Sequence, residues 1–577
     1  MRLLLLLFFF ALCLSPSASL RAGAALSLTP CAGAQAGALV YARAVDGTVR
    51  SADGALCATY AGASPAQLVM QPCIAGGDAS QFWLLNASSS AVVGAPTGEI
   101  LAWNTQGDTS DPRRPVSTWP ASDEQWNGLF FDDASGRLVA NCSAPGACGA
   151  AAPAYCVGSV LGRVLSLATV VRYWTVETTR TEHLLNNESA LHTVAACEAF
   201  RAAVTAGWPG AAVTWAFSWQ ALHASDGEYP QIRALVAGFV RALGDEMTFI
   251  PGGYFAPMYN SQAQTNADLH DALALIEGIV GGGYRPLAVI AGFLGAQSLA
   301  FLAAEERIHV AQGTIFSQFN IDYGDGDGGS PYPYYPSSQH YLKPAQGASD
   351  QIDTVVLDGW TVDFLAARRN GFADGFNSRM GVGPIETIRD LGPVPGAAEQ
   401  MHATAQHFAT GAALNNGEAF VSSIWEISLP INVSYLTAWL AAVRGQWPDA
   451  QMLTHGEFGE RWREAHAAND YNYTFVEVGS GIGGSDADKE ITFFANRAFR
   501  LVLLRNLTDA GAGDVIDLTR YDLPATEPAN LTRSWNLMNE INMKQSRGAV
   551  DAPRPLAALS EEDKAIIRAW LPGLPLG

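Results

Sequence analysis

Two rhythms of apolar and polar positions divide the chain. Before about residue 160, short apolar stretches are broken every few residues by Gly, Ser, Asn and Asp, which is the pattern of short strands joined by turns. From about 161, near-continuous apolar runs take over. They are RYWTVET (172–178), AAVTWAFSW (211–219), EMTFIPG (246–252), LAVIAGF (287–293), HVAQGTIF (309–316), TVVLDGW (354–360), AFVSSIW (419–425) and QMLTHG (451–456). Such runs suit strands buried on both faces. Helical periods separate most of them, as in SALHTVAACEAFRAAV, PQIRALVAGFVRAL and ADLHDALALIEGIV. Repeated βα units predict a parallel β/α barrel of seven or eight strands over 161–470. Residues 471–577 open with YNYTFVEVG and continue with DKEITFFANRAFRLVLLRN, TRSWNLMNEINMK and DKAIIRAWL, which read as a mostly helical accessory region. The expectation is a multidomain chain: an all-β module (26–160), an α/β barrel and a helical C-terminal region.

Composition narrows the partners. Of 577 residues, 49% are hydrophobic and 15% charged, ample for packed cores. A net charge of −21 disfavours phosphate backbones and anionic lipid surfaces, so no nucleic-acid partner is expected. Neutral ligands such as sugars stay open. The start of the chain has Arg2, an apolar run from Leu3 to Leu14 and the small residues Ser17, Ala18 and Ser19. It reads as a cleaved secretory signal over 1–25, giving an extracellular protein with no integral span thereafter. The uncharged run from Leu287 to Ala304 is long enough to span a bilayer, yet its Gly292, Gly295, Gln297 and Ser298 favour a buried strand plus helix. Sequons at Asn86, Asn141, Asn187, Asn432, Asn472, Asn506 and Asn530 predict a glycoprotein. Cys31, Cys57, Cys73, Cys142, Cys148 and Cys156 cluster before residue 160 and read as disulfides of open connectivity, whereas Cys197 reads as a buried thiol.

Barrel chemistry belongs at the C-terminal ends of the strands. There the predicted strands end in Glu177, Asp358 and Glu426, with Glu457 in reserve. Paired carboxylates are what glycoside hydrolysis needs, one to protonate the leaving oxygen and one to act as base or nucleophile. Trp219, Tyr254, Trp360 and His455 are the expected sugar-holding neighbours at this rim. Glu177 has Arg180 as an alternative, structural partner. His455 and Glu457 have a second reading as the cap of the helix EFGERWREAHAAN. The link between the fifth and sixth runs has no helical period. Its Asp322, Asp325 and Asp327 resemble a short Ca²⁺-binding turn, and Tyr334 and Tyr335 are placed to line a groove. No cofactor is required. In the all-β module, Trp103 and Asn104 offer an aromatic face and an amide for a sugar. Gly479-Ser480-Gly481-Ile482-Gly483-Gly484 satisfies G-x-G-x-x-G but has no following βα series, so it reads as a turn before a helix.

Two resemblances sharpen this reading. TVRSADGALCATYAG, LVMQPC, Gln81-Phe82-Trp83, Glu124-Gln125-Trp126 and GRLVANC resemble the ricin-B-type lectins, β-trefoils built from three similar units. That likeness implies a glycan-binding module and a disulfide between Cys57 and Cys73. The stretch from WTVETTRTEH through AGFLGAQS, QGTIFSQFNIDYGDGDGGSPYPYYPS, LDGWTVDFLAARR and THGEFGERW resembles an uncharacterised family of secreted proteins, a domain of unknown function, over roughly 165–545. Its barrel looks distantly like those of polysaccharide deacetylases and seven-stranded glycosidases. The deacetylases' paired aspartates on the first strand and spaced histidines have no counterpart beside Glu177. The combined expectation is a secreted glycoside hydrolase tethered to polysaccharide or glycoprotein glycan. A non-catalytic glycan-binding protein and a polysaccharide deacetylase are the alternatives.

Overall fold

The computed structural model describes residues 161–577 except 255, 292–293, 315–327, 360, 374–383, 416–417, 510, 533–534, 538–540, 543, 550–551 and 577. Before residue 161 it describes only strand segments between Ser27 and Gly158. The chain forms two compact units, 1–162 and 163–577. In the first, the described strands pair antiparallel in two ladders. Trp103 and Asn104 end one strand, Glu99–Asn104, opposite Val116 and Trp126. Cys57 pairs with Gln71 in a strand register, and Cys73 lies outside the described residues.

Seven parallel strands build the second unit's barrel. They are β1 (Arg163–Val171), β2 (Thr214–Phe217), β3 (Glu246–Phe249), β4 (Ala288–Ile290), β5 (Val310–Thr314), β6 (Val355–Asp358) and β7 (Ala419–Glu426). β1 lies between β2 and β7, and β3 adds outside β2. β4, β5 and β6 form a second parallel ladder. Two seams join the ladders. Thr248 Oγ1 donates to Ala288 O (2.5 Å), linking β3 to β4. Thr361 N donates to Ser422 O (2.9 Å) and Ser422 N to Thr361 Oγ1 (2.9 Å), linking the chain after β6 to β7. The continuous Val/Ile/Leu/Ala character of these strands follows from burial on both faces.

Three sequence expectations need correcting. The first barrel strand is RVLSLATVV, not RYWTVET. The latter leaves the barrel and forms a hairpin, Trp174–Glu177 against His183–Asn187. The eighth run gives only a two-residue strand, Gln451–Met452, against the start of β1. Beyond it, the helix His455–Ala465 is capped by Thr454 and Glu457 in a reciprocal capping box. That helix closes the N-terminal end of the barrel. Its glycines allow the approach: a Cβ on Gly459 would lie 2.4 Å from Val310 Cγ1, and one on Gly456 2.5 Å from Leu287 Cβ.

The third correction concerns the C-terminal region, which is built on an antiparallel sheet. Its strands are β8 (Asn472–Val478), β9 (Lys489–Asn496), β10 (Phe499–Asn506), β11 (Asp514–Arg520) and β12 (Arg554–Pro555). DKEITFFANRAFRLVLLRN is therefore two strands. Burial of Ile491, Phe493 and Ala495 on one face shows the two-residue period that the overall apolar density concealed. The glycine-rich 479–484 stretch is the β8–β9 hairpin loop rather than a turn into a helix. The helix Glu561–Trp570, capped by Ser560, packs on this sheet through Ile567. Leu287–Ala304 is β4 followed by the helix Ala296–Phe301, and no helix among the described residues is long and apolar enough to cross a membrane. Cys197 is a buried free thiol.

Candidate active site

Where β1 ends, the next residue is Arg172, and its guanidinium organises the rim. Nε and Nη2 donate to the two oxygens of Glu188, each at 3.0 Å, and Nη2 also donates to Glu426 Oε2 at 3.2 Å. Glu426 is the last residue of β7, so Arg172 joins two neighbouring strand ends. Glu188 follows the hairpin and is fixed there by Glu188 N donating to Tyr173 O (2.9 Å). His192 Nε2 accepts from Arg172 N at 3.3 Å and lies 3.4 Å from Glu188 Oε2. Burial alone would raise the Glu188 carboxyl. His192 and the Arg172 charge override it and hold the group at about 2. Burial pushes the His192 ring down. Tyr229 OH donates to Arg172 O (2.7 Å) and holds the arginine backbone in place.

Glu177 lies on the hairpin over the same strand ends. Ser218 Oγ donates to Oε1 at 2.6 Å and Gln220 N to Oε2 at 3.1 Å. Ser218 is also the N-cap of the helix Trp219–His223, so the carboxyl clips the hairpin to the end of β2. Burial pushes Glu177 up to about 7, against those hydrogen bonds and the nearby Arg172 charge. Arg180 does not pair with it. Arg180 binds Asp268 and Asp271 and stacks 4.0 Å above the Trp219 ring. Trp219 also stacks on His223, and Trp174 on His183 with ring centroids 3.4 Å apart. Trp174 Nε1 donates to Gln220 Oε1 (2.9 Å).

The carboxylates differ in reach. Glu426 is half-buried, with its side chain 15% exposed, whereas Glu177 and Asp358 are buried. Asp358 ends β6 and accepts from Thr361 Oγ1 at 3.3 Å. The structure thus brings Glu177, Glu426 and Trp219 into one neighbourhood, with Asp358 at a strand end of the same rim. Glu457 belongs to the opposite end of the barrel, where it caps its helix. His455 is there too, fully buried, with Nε2 2.9 Å from Ser422 Oγ. Tyr334 and Tyr335 do not line an open groove. Both are buried, their hydroxyls donating to Tyr341 O (2.9 Å) and His466 O (2.8 Å). Tyr254 sits in the turn Pro251–Tyr254. Trp360, Asp322, Asp325 and Asp327 lie outside the described residues. Among the described residues, no group of three or more His, Cys, Asp or Glu side chains is arranged to hold a metal ion.

Sequence reasoning missed Arg172, Glu188 and His192. Arg172 had a signal, a lone cation directly after a nine-residue apolar strand, which the misplaced first strand hid. Glu188 carried none, since it is the middle residue of a sequon. His192 is one isolated histidine with no spacing partner.

Comparison with known proteins fits this architecture. Residues 158–495 match the profile of DUF3863, a domain of unknown function with a solved structure, and residues 500–574 match that of DUF3864. Residues 10–126 match the ricin-type β-trefoil lectin domain, a span that begins inside the segment read as a leader. No curated protein matches. A crystal structure of a candidate glycoside hydrolase/deacetylase from Parabacteroides distasonis is 41% identical, with a TM-score of 0.67, covering 72% of this chain and 99% of that one. A candidate polysaccharide deacetylase from Pseudomonas aeruginosa is 13% identical, with a TM-score of 0.33, covering 53% of this chain and 93% of that one. A GH57-type branching enzyme from Pyrococcus horikoshii is 9% identical, with a TM-score of 0.34, covering 52% of this chain and 71% of that one. By its sequence over the whole barrel, the chain belongs to the DUF3863 family.

Proposed function

We propose that this protein is a secreted carbohydrate-active hydrolase whose chemistry lies at the C-terminal rim of the barrel, with the lectin-type module holding it on glycan. The observation that carries the reading is the Arg172–Glu426 contact. It fixes a solvent-reaching carboxylate at a strand end, beside a hairpin that carries the stacked Trp174 and His183. Support for a carbohydrate substrate comes from the ricin-type match and from the 41% identical relative. Glu426 and Asp358 are the reacting pair in this proposal. As the glycosidic C–O bond breaks, the leaving oxygen takes a proton from Asp358. A water oxygen bonds to the anomeric carbon and passes its proton to Glu426. Glu177 is a positioning residue: both its oxygens already accept hydrogen bonds and it locks the aromatic hairpin to β2. The test is a polysaccharide panel assayed for new reducing ends and for released acetate. Reducing ends lost in Glu426→Gln and in Asp358→Asn support hydrolysis at this rim. Acetate release without chain cleavage replaces it with deacetylation, a chemistry the same relative's description also names. Retained glycan binding with neither product makes the protein a binding protein.

A further inference from the structure

Away from the Arg172 network, three carboxyls meet with no exposure to solvent: Asp363, Glu399 and Glu477. They come from three elements. Asp363 is five positions beyond Asp358 and precedes the helix Phe364–Ala373. Glu399 lies on the helix Pro393–Ala405. Glu477 lies on β8, next to its hairpin loop. Asp363 accepts from Ala366 N (2.6 Å) and Ser485 Oγ (2.7 Å). Glu477 accepts from Phe364 N (3.1 Å) and Leu365 N (3.3 Å), so two acids cap one helix start. Ser480 Oγ donates to Glu399 Oε2, while Glu399 Oε1 has no donor among the described residues. Both glutamates lie within hydrogen-bond reach of Asp363.

Among the described residues, no cation neutralises this group. Arg368 and Arg369 are turned to Asp486, at 2.9 and 2.8 Å, and Lys489 faces Asp486 and Asp488. His402 Nε2 is 2.8 Å from Val478 O, and His407 stacks on Phe475 with Nε2 3.5 Å from Val362 O. Three adjacent buried negative charges are prohibitively costly, and no metal-holding arrangement exists among the described residues. Among the described groups, protons remain as the neutraliser. A proton on each glutamate, donated towards Asp363, also gives Glu399 Oε1 a role as donor.

We propose that Asp363, Glu399 and Glu477 form a proton-held latch, tying the chain just after β6 to the β8–β9 hairpin loop and releasing it in alkaline medium. The direction of titration agrees. Burial, then the Asp363 charge, push Glu399 up to about 9, against the Ser480 hydrogen bond. The same two causes raise Glu477 well above the ordinary range, against two backbone N–H donors. A raised folded-state value means that the contribution is complete below the ordinary 4.5 and is lost as pH rises towards about 9. The latch is therefore closed in acidic and neutral medium. Its opening would loosen the chain five residues from Asp358.

The experiment is urea unfolding of the full chain between pH 7.5 and 9, below the folded-state value of Glu399, with hydrogen exchange of the 479–487 amides corrected for intrinsic rates. The wild-type unfolding constant should rise by up to about tenfold per pH unit for each glutamate still protonated in the folded state. Glu399→Gln keeps a donor towards Asp363, and it should flatten that rise and slow exchange in the loop at pH 9. Glu477→Gln is the second variant, expected to act in the same direction. Ser485→Ala should lower stability at all pH values without changing the slope. A wild-type constant that is flat from pH 7.5 to 9, or a Glu399→Gln slope equal to wild type, overturns the latch. Neither readout depends on the hydrolase proposal.

Discussion

Arg172 and Glu426, 254 positions apart in the chain, meet at 3.2 Å across the ends of the adjacent parallel strands β1 and β7. The same guanidinium grips Glu188 through two parallel hydrogen bonds. Its side chain is 5% exposed, so both carboxylates depend on it for neutralisation. Removing one partner of a buried ion pair leaves a charge without compensation and costs about 3–5 kcal/mol. Arg172→Met should lower the unfolding free energy by about that amount, read by urea titration. Arg172→Lys should recover only part of it, because an ammonium cannot reproduce the planar fork. A loss under about 1 kcal/mol in Arg172→Met would place the network in the class of exposed, weakly coupled pairs.

Glu177 gives a second, separable prediction. Its folded-state value is raised, from 4.5 to about 7. By linkage, its contribution is complete below pH 4.5 and is lost as pH rises through 7. Glu177→Gln keeps the shape of the side chain and removes the ionisation. The variant should show a flatter dependence of stability on pH between about 5 and 7.5 than the wild type. Where the wild-type KM rises above neutrality because the hairpin loosens, the variant's KM should not rise, while kcat at pH 6 stays close to wild type. An unchanged stability profile would place the Glu177 titration outside this window.

The barrel was legible because fully buried parallel strands leave nearly unbroken apolar runs, and six of the seven barrel strands lie within such runs. Asp358 was legible for the same reason: a carboxylate ending Val355-Val356-Leu357 stands out. The first strand was misread because RYWTVET looks more β-like than RVLSLATVV, and the shift moved attention from Arg172 to Glu177. The Arg172–Glu188–Glu426 contact could not be read at all, since it depends on how the hairpin folds back. In the sequence β9 and β10 read as one helix because aromatic and aliphatic residues crowd both faces of FFANRAFRLVLL. A tight turn at Asn496, whose Oδ1 accepts from Ala498 N (2.8 Å) and Phe499 N (3.1 Å), separates the strands. His455 and Glu457 follow a strand-like run, and only the capping box decides that they begin a helix instead.

The five sequon asparagines among the described residues of the second unit, Asn187, Asn432, Asn472, Asn506 and Asn530, are all exposed. That meets the physical requirement for attaching a bulky, solvated glycan. Expressed through a eukaryotic secretory pathway, the protein should lose mass on enzymatic removal of N-glycans. Asn→Gln at each of the five should each remove part of that mass without lowering the melting temperature by more than about 2 °C, as expected of surface substitutions. A mass equal to the bare polypeptide would remove the support these sites give to secretion.

The two ends of the barrel should respond differently to mutation. At the N-terminal end, Thr454 Oγ1 accepts from Glu457 N at 3.1 Å, and Glu457 Oε2 accepts from Thr454 N at 3.1 Å. This box starts the helix whose first turn carries His455 and Gly456 into the barrel floor, where Gly456 N donates to the buried Glu246 (3.2 Å). Thr454→Ala removes one side of the box and should cost about 1 kcal/mol of stability. Glu457→Ala should cost a similar or smaller amount, since it frees one backbone donor at a partly exposed helix end. Neither change touches the strand ends that hold Glu426 and Asp358. Turnover per folded molecule on any polysaccharide cleaved by the wild type should therefore stay within about twofold, against a loss of at least about a hundredfold in Glu426→Gln. If Glu457→Ala instead abolished turnover while leaving unfolding unchanged, the chemistry would belong to the floor of the barrel and not to its rim.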